Sequence, residues 1–168
     1  MNNISLIDLD QILASFLNRI EAKSLVWLLD PFTILFNHGF RVNELNLIPS
    51  WELLPDNKIL CKTLKGSADR IITESEFPSS VRRSIEANHN YTLSVSVSAL
   101  ERAMFSNIPG GRFSVKSKNV STHLFRHRKF KTLHASGLSI TAIKSLMGLS
   151  NDKVVLGYIE SIITQSSL

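Results

Sequence analysis

The sequence predicts an α+β domain, mostly α, with a small three-stranded antiparallel sheet on one side. Apolar residues recur at helical spacing over both ends of the chain, while Pro49 to Thr73 changes to short apolar runs separated by turn residues. Helices, then a sheet, then helices again is the order of an α+β layer arrangement.

Taken in order, Ser5 is a candidate N-cap with Asp8 three residues on, and Leu6, Leu9, Ile12, Leu13, Phe16 and Leu17 follow on one helical face. A second helix, Ser24 to Asn37, is apolar nearly all round and therefore belongs at the centre of the core, with Pro31 bending or restarting it. Asn37-His38-Gly39 ends that helix, and Arg41 leads a short one at whose start backbone donors favour an anion. Glu44, three residues on, is placed to hold Arg41. The strands are expected at Trp51 to Leu54, Lys58 to Thr63 and Arg70 to Thr73, with a turn at Pro55-Asp56-Asn57 and Lys65-Gly66 at the tip of the last hairpin.

Helices over Ser79 to Asn88 and Ser94 to Asn107 come next, the second with Leu100, Met104 and Phe105 inward. Asn88 to Thr92 and Ile108 to Lys118 read as linker and loop. From Val120 the chain has a helix-turn-helix rhythm: Ser121 to Ser136, a break at Gly137, Ile140 to Met147, a break at Gly148, and a further helix carrying Tyr158. His123 and Arg126 are three residues apart on the first of these helices, so they share a face that could grip one small anion.

With 168 residues, 43% hydrophobic, the chain suits one ordinary core and most simply one domain, residues 1–168. Lys and Arg number 19 against 14 Asp and Glu, a net +5 that is compatible with nucleic acid without requiring it. The distribution is sharper: Arg112, Lys116, Lys118, Arg126, Arg128, Lys129 and Lys131 fall in a stretch free of Asp and Glu. Such a run is either a solvated face or a phosphate-binding one, and the neighbouring His123 and Arg126 favour phosphate. The lone Cys61 allows no internal disulfide, no zinc-ligand spacing is present, and no cofactor is expected. The apolar stretch Ser24 to Phe36 is interrupted by Asp30 and Pro31 and is too short to span a bilayer, and no signal peptide is evident, so no membrane partner and a cytoplasmic location are expected.

Several motifs stand in order. His123, Arg126 and His127 form H-x-x-R-H, Gly137 closes that helix, and Met147-Gly148-Leu149-Ser150 stands where an L-G-[HW]-S turn would, with Tyr158 ten residues after Gly148. Upstream are Gly39 to Leu45, GFRVNEL, and Leu64 to Ile72, LKGSADRII. Together these resemble the tyrosine recombinase (phage integrase) family, over nearly the whole chain from about Ser5. The resemblance implies that family's catalytic-domain fold and a site-specific recombinase (integrase) that cleaves and rejoins double-stranded DNA through a 3'-phosphotyrosyl intermediate, acting with other protomers on DNA in integration, excision or inversion.

By that resemblance the catalytic residues are Arg41, Lys65, His123, Arg126 and Tyr158, with no metal. Arg41 and Arg126 would neutralise the phosphate oxygens, His123 would take the phenol proton, Tyr158 would attack phosphorus and Lys65 would protonate the leaving 5'-oxygen. Arg112, Lys116, Lys118, Arg128, Lys129 and Lys131 would contact DNA. Leu149 departs from the pattern, because it cannot donate to the phosphate where the family has His or Trp. A neighbour such as His127 or Ser150 would then substitute, or catalysis would be slow. Arg128-Lys129 also departs, standing where the family mostly has Thr and an aromatic. The tail, residues 159–168, either packs on its own domain or docks on a neighbouring protomer. There is no room for the family's N-terminal clamp domain, as in an excised catalytic domain or a naturally short recombinase.

Other readings are a catalytically weakened or inactive DNA-binding protein of this fold, a topoisomerase-like relaxing enzyme and a helical protein-interaction module. Salt-sensitive DNA affinity separates the last from the others.

Overall fold

The computed structural model describes residues 6–22, 26–64, 68–89, 93–95, 100 and 124–149. The described chain is mostly helical with a three-stranded antiparallel sheet in the order β1-β2-β3. Helix α1 spans Leu6–Ala22, and a 3-10 turn at Val26–Leu28 leads into α2, Leu29–His38. Pro31 therefore sits in the first turn of α2, where its missing N–H costs nothing, and it marks a restart of the helix rather than a bend. Gly39 ends α2 at φ 68°, a left-handed residue whose N–H returns to Leu35 O.

Arg41 then caps a 3-10 helix, Val42–Ser50, that runs into β1 (Glu52–Leu54), β2 (Lys58–Cys61) and β3 (Arg70–Thr73). Strand β2 is shorter than the expected Lys58 to Thr63. Its pairing sets Leu53 opposite Ile59 and Ile59 opposite Ile72, so Ile59 and Ile72 face the core while Ile71 is exposed. Trp51 is anchored by its indole N–H, which donates to Lys62 O at 2.8 Å. After a 3-10 turn, Glu74–Glu76, helix α3 covers Ser79–Ala87 and is tied to α2 by Ser80 Oγ donating to Asp30 Oδ2.

Most of the helix expected over Ser94 to Asn107 lies outside the described residues, although Leu93, Val95 and Leu100 are buried in the core. Helix α4 is Leu124–Ala135 and α5 is Ile140–Met147. Ser139 caps α5 by accepting from Ala142 N, and Gly148 ends it at φ 65°.

The main core joins Leu13, Phe16 and Ile20 of α1 to Phe32, Ile34 and Leu35 of α2, Leu45 and Ile48, the sheet, and Leu124 and Phe125 of α4. A smaller cluster of Phe130, Ile143, Met147 and Leu149 glues α5 to the second half of α4. Phe125 meets Phe32 edge-on with centroids 5.7 Å apart. The N-terminal turn of α4 is thereby sunk against α2, which carries Arg126 into the protein. Burial raises the Cys61 thiol to about 12, so it stays protonated and inert. Among the described residues no helix is long and apolar enough to cross a membrane.

Candidate active site

Arg126 lies on the α4 face that packs against the end of α2, and it is 3% exposed. A buried guanidinium needs partners, because desolvation is costly. Two meet it: Nη1 donates to Gly39 O at 3.1 Å and lies 3.7 Å from Glu44 Oε1. Nη2 is also buried and has no hydrogen-bond partner. An unpaired buried donor costs about 1–3 kcal/mol, more when charged, so it is a group that a bound anion would relieve, as is Arg70 Nη1, which is buried and unpaired too.

Glu44, 1% exposed, is the hub of this site. Its Oε1 accepts the Arg41 backbone N–H at 2.6 Å and its Oε2 accepts the Leu64 N–H at 3.0 Å. One carboxylate therefore ties together the Arg41 backbone, the Arg126 guanidinium and the chain leaving β2 towards the hairpin tip. The expected role of Glu44 was to hold Arg41; it does so through the main chain and adds Arg126. Arg41 is half-buried at the head of its 3-10 helix, with extended backbone (φ −71°, ψ 142°).

A short i to i+3 helix start explains this convergence. The left-handed Gly39 reverses the chain after α2, Arg41 becomes the capping residue, and its third successor Glu44 folds back onto the cap. Sequence alone pairs Arg41 with Glu44; only packing brings Arg126 to the same oxygen.

No family model, curated protein or solved structure matches this chain. The site must therefore be weighed on its own geometry. Of the remaining expected catalytic residues, Lys65, His123 and Tyr158 lie outside the described residues, as do Ser150, Arg112, Lys116 and Lys118.

Leu149 is 5% exposed and packs in the cluster of Phe130, Ile143 and Met147, so its side chain serves the α4–α5 contact and offers no donor. His127, the expected substitute, is buried beside Arg126 in sequence but roughly 100° round the helix from it. Burial, with Lys131 one turn on, lowers its imidazole to about 4, so it is neutral at pH 7.

Besides Arg126, the three other described members of the basic run do not form one solvated stripe. Arg128 Nε pairs with Asp10 Oδ1 of α1 at 2.7 Å, and its guanidinium lies 3.7 Å from the centroid of Phe36 in α2. Lys131 is 5% exposed, and burial lowers it to about 8. Lys129 is half-buried against Gly39, where a Cβ on the glycine would come within 2.8 Å of the Lys129 Cβ. Burial lowers the Lys129 ammonium, with Arg70 and Arg128 adding repulsion. Of these three, Arg128 clasps α4 to α1 and α2 while the two lysines are drawn into the packing, a distinction invisible in charge spacing.

One residue was quoted in a motif but given no role by the sequence. Arg70, 4% exposed, opens β3 and reaches under the sheet: Nη2 donates to His38 O and Nε to Leu146 O, each at 2.8 Å. Its guanidinium also stacks 4.2 Å from the Phe40 centroid, and burial lowers it to about 10, still charged at neutral pH. The signal was available in its position five residues after Lys65, but an arginine at a strand start reads equally as exposed. A cleft of about 380 Å³ lies beside it, lined among others by Arg70, Lys129, Asp69 and Glu76. Among the described residues no group of His, Cys, Asp and Glu could hold a metal ion.

Proposed function

We propose that this chain is a tyrosine-type DNA strand-transfer enzyme, a site-specific recombinase of the integrase kind. The observation that carries the reading is the Arg126–Glu44 arrangement. A buried arginine is held at one nitrogen and unpaired at another, and the carboxylate that steadies it also steadies the Arg41 backbone. Such preorganised cations suit a phosphodiester, whose charge increases as phosphorus becomes five-coordinate.

In this reaction the Tyr158 oxygen bonds to phosphorus, His123 takes the phenol proton, and the bond from phosphorus to the 5'-oxygen breaks. Lys65 gives that oxygen its proton, leaving a 3'-phosphotyrosyl enzyme and a 5'-hydroxyl. Reversal with a partner strand's 5'-hydroxyl rejoins DNA without loss of bond energy. The chemistry needs no metal, since the arginines carry the phosphate charge. Cytoplasmic, nucleoid-associated action on double-stranded DNA with other protomers follows from this reading.

A second reading, a catalytically weakened DNA-binding protein with the same fold, is favoured by Leu149. Its burial among Phe130, Ile143 and Met147 leaves that position without a donor. A missing donor at developing charge costs about 2.7–4 kcal/mol in rate terms.

The test is a nicked suicide substrate drawn from a pool of attachment-like sequences, from which the 5'-end diffuses away after cleavage. A protein–DNA adduct on a denaturing gel that vanishes in Tyr158→Phe supports the enzyme. Salt-sensitive DNA binding with no adduct supports the second reading.

A further inference from the structure

We propose that Arg70 is a positioning residue that registers the β2–β3 hairpin against the Arg126 site, an inference that rests on the recombinase reading above. His38 O and Gly39 O are consecutive carbonyls at the end of α2. Arg70 Nη2 holds the first at 2.8 Å and Arg126 Nη1 holds the second at 3.1 Å. Two arginines from distant parts of the chain thus share one helix terminus, whose negative dipole end suits both.

The hairpin is pinned at both feet. Leu64 N–H donates to Glu44 Oε2 at 3.0 Å, on the carboxylate that pairs with Arg126. Ala68 N–H donates to Gly148 O at 3.0 Å, and Arg70, two residues later, holds Leu146 O through Nε. Within the foot itself, Thr63 Oγ1 donates to Ala68 O at 3.1 Å. Residues 65–67 are therefore bracketed in sequence by two anchors, each fixed to an element that also locates Arg126 or the end of α5. Glu44 sets one anchor, and Arg70 locks the other.

Removing the Arg70 side chain leaves Arg126 with both Glu44 and Gly39, so phosphate charge is still met. What is lost is the lock on the foot of the hairpin that carries Lys65. The defect then falls on protonation of the leaving oxygen and spares attack at phosphorus. A merely structural role would slow both.

The experiment compares adduct formation on an ordinary DNA substrate and on one with sulfur at the bridging 5'-position. With sulfur the P–S bond breaks and the thiolate departs with its electron pair, needing no proton, because a thiol is far more acidic than an alcohol. Arg70→Met is expected to slow adduct formation on the oxygen substrate by about a hundredfold, and to act on the sulfur substrate close to the wild-type rate. Arg70→Lys, which keeps a cation that reaches fewer carbonyls, falls between; if Arg70→Met does not fold, this variant carries the same comparison. Arg126→Lys is expected to be slow on both. Equal slowing of the Arg70 variants on both substrates, or no slowing on either, overturns the role of Arg70 while wild-type cleavage upholds the enzyme. A wild-type protein that cleaves neither substrate overturns the recombinase reading, and the role of Arg70 with it.

Discussion

Arg126 and Glu44 face each other at 3.7 Å with side chains 4% and 1% exposed, a buried ion pair that joins the last third of the chain to the first. Breaking such a pair by removing one partner typically costs about 3–5 kcal/mol, because an uncompensated charge stays buried. Glu44→Ala is expected to lose that much in urea unfolding, since the N–H groups of Arg41 and Leu64 lose their acceptor as well. A loss in the range of an exposed pair, about 0–1 kcal/mol, would show that the carboxylate is not the hub described.

Gly148 and Gly137 offer a paired comparison. Both have positive φ, 65° and 87°, but a Cβ on Gly148 would fall 2.5 Å from Ala68 O and 3.0 Å from Arg70 Cγ, whereas one on Gly137 meets nothing within 4 Å. Gly137→Ala should cost only the left-handed backbone, about 1–2 kcal/mol. Gly148→Ala should cost more and loosen the Ala68–Gly148 bond, which amide hydrogen exchange at Ala68 will report. Equal losses in thermal unfolding would contradict the close approach.

Arg128 clasps α4 to α1 through Asp10 and to α2 through Phe36. An exposed ion pair and a cation–π contact are together worth about 1 kcal/mol. Arg128→Ala is expected to lose that stability and to speed exchange of α1 amides. The dependence of DNA affinity on salt should keep its slope, whereas loss of a phosphate contact would reduce the slope by about one.

His127 makes stability depend on acid. Its folded value is lowered from 6.5 to about 4 by burial, so between those limits the unfolded chain binds more protons than the folded one. Stability therefore rises with pH through this window and falls as pH drops from 6.5 towards 4. His127→Gln should flatten the urea midpoint over that range; a midpoint with the same slope in both proteins would assign the effect elsewhere.

Much of the fold was legible because it is local. Helical spacing, the turn at Pro55 to Asn57 and the left-handed ends at Gly39 and Gly148 depend on neighbours within a few residues, and the strands were found with β1 starting one residue late and β2 ending two residues early. The Arg41-to-Glu44 link was legible for the same reason, as an i to i+3 pair at a helix start. Pro31 left two outcomes open in sequence, bend or restart. The choice fell to the chain before it, which makes a 3-10 turn and delays the helix until Leu29.

The basic run shows where sequence stops. Arg128, Lys129 and Lys131 have the same spacing whether α4 lies on a surface or sinks against α1 and α2, and only the docking of Phe125 and Phe130 into two apolar clusters decides it. The meeting of Arg126 with Glu44, and of Arg70 with the carbonyl next to the one Arg126 holds, likewise joins residues far apart in the chain. By itself the sequence determined the order of elements, their punctuation and the residue types able to meet a phosphate. Tertiary structure alone decided which cation clasps neighbouring helices and which two, Arg70 and Arg126, keep an unpaired buried donor, because burial and long-range hydrogen bonding depend on what packs against a helix and are not written in its own spacing.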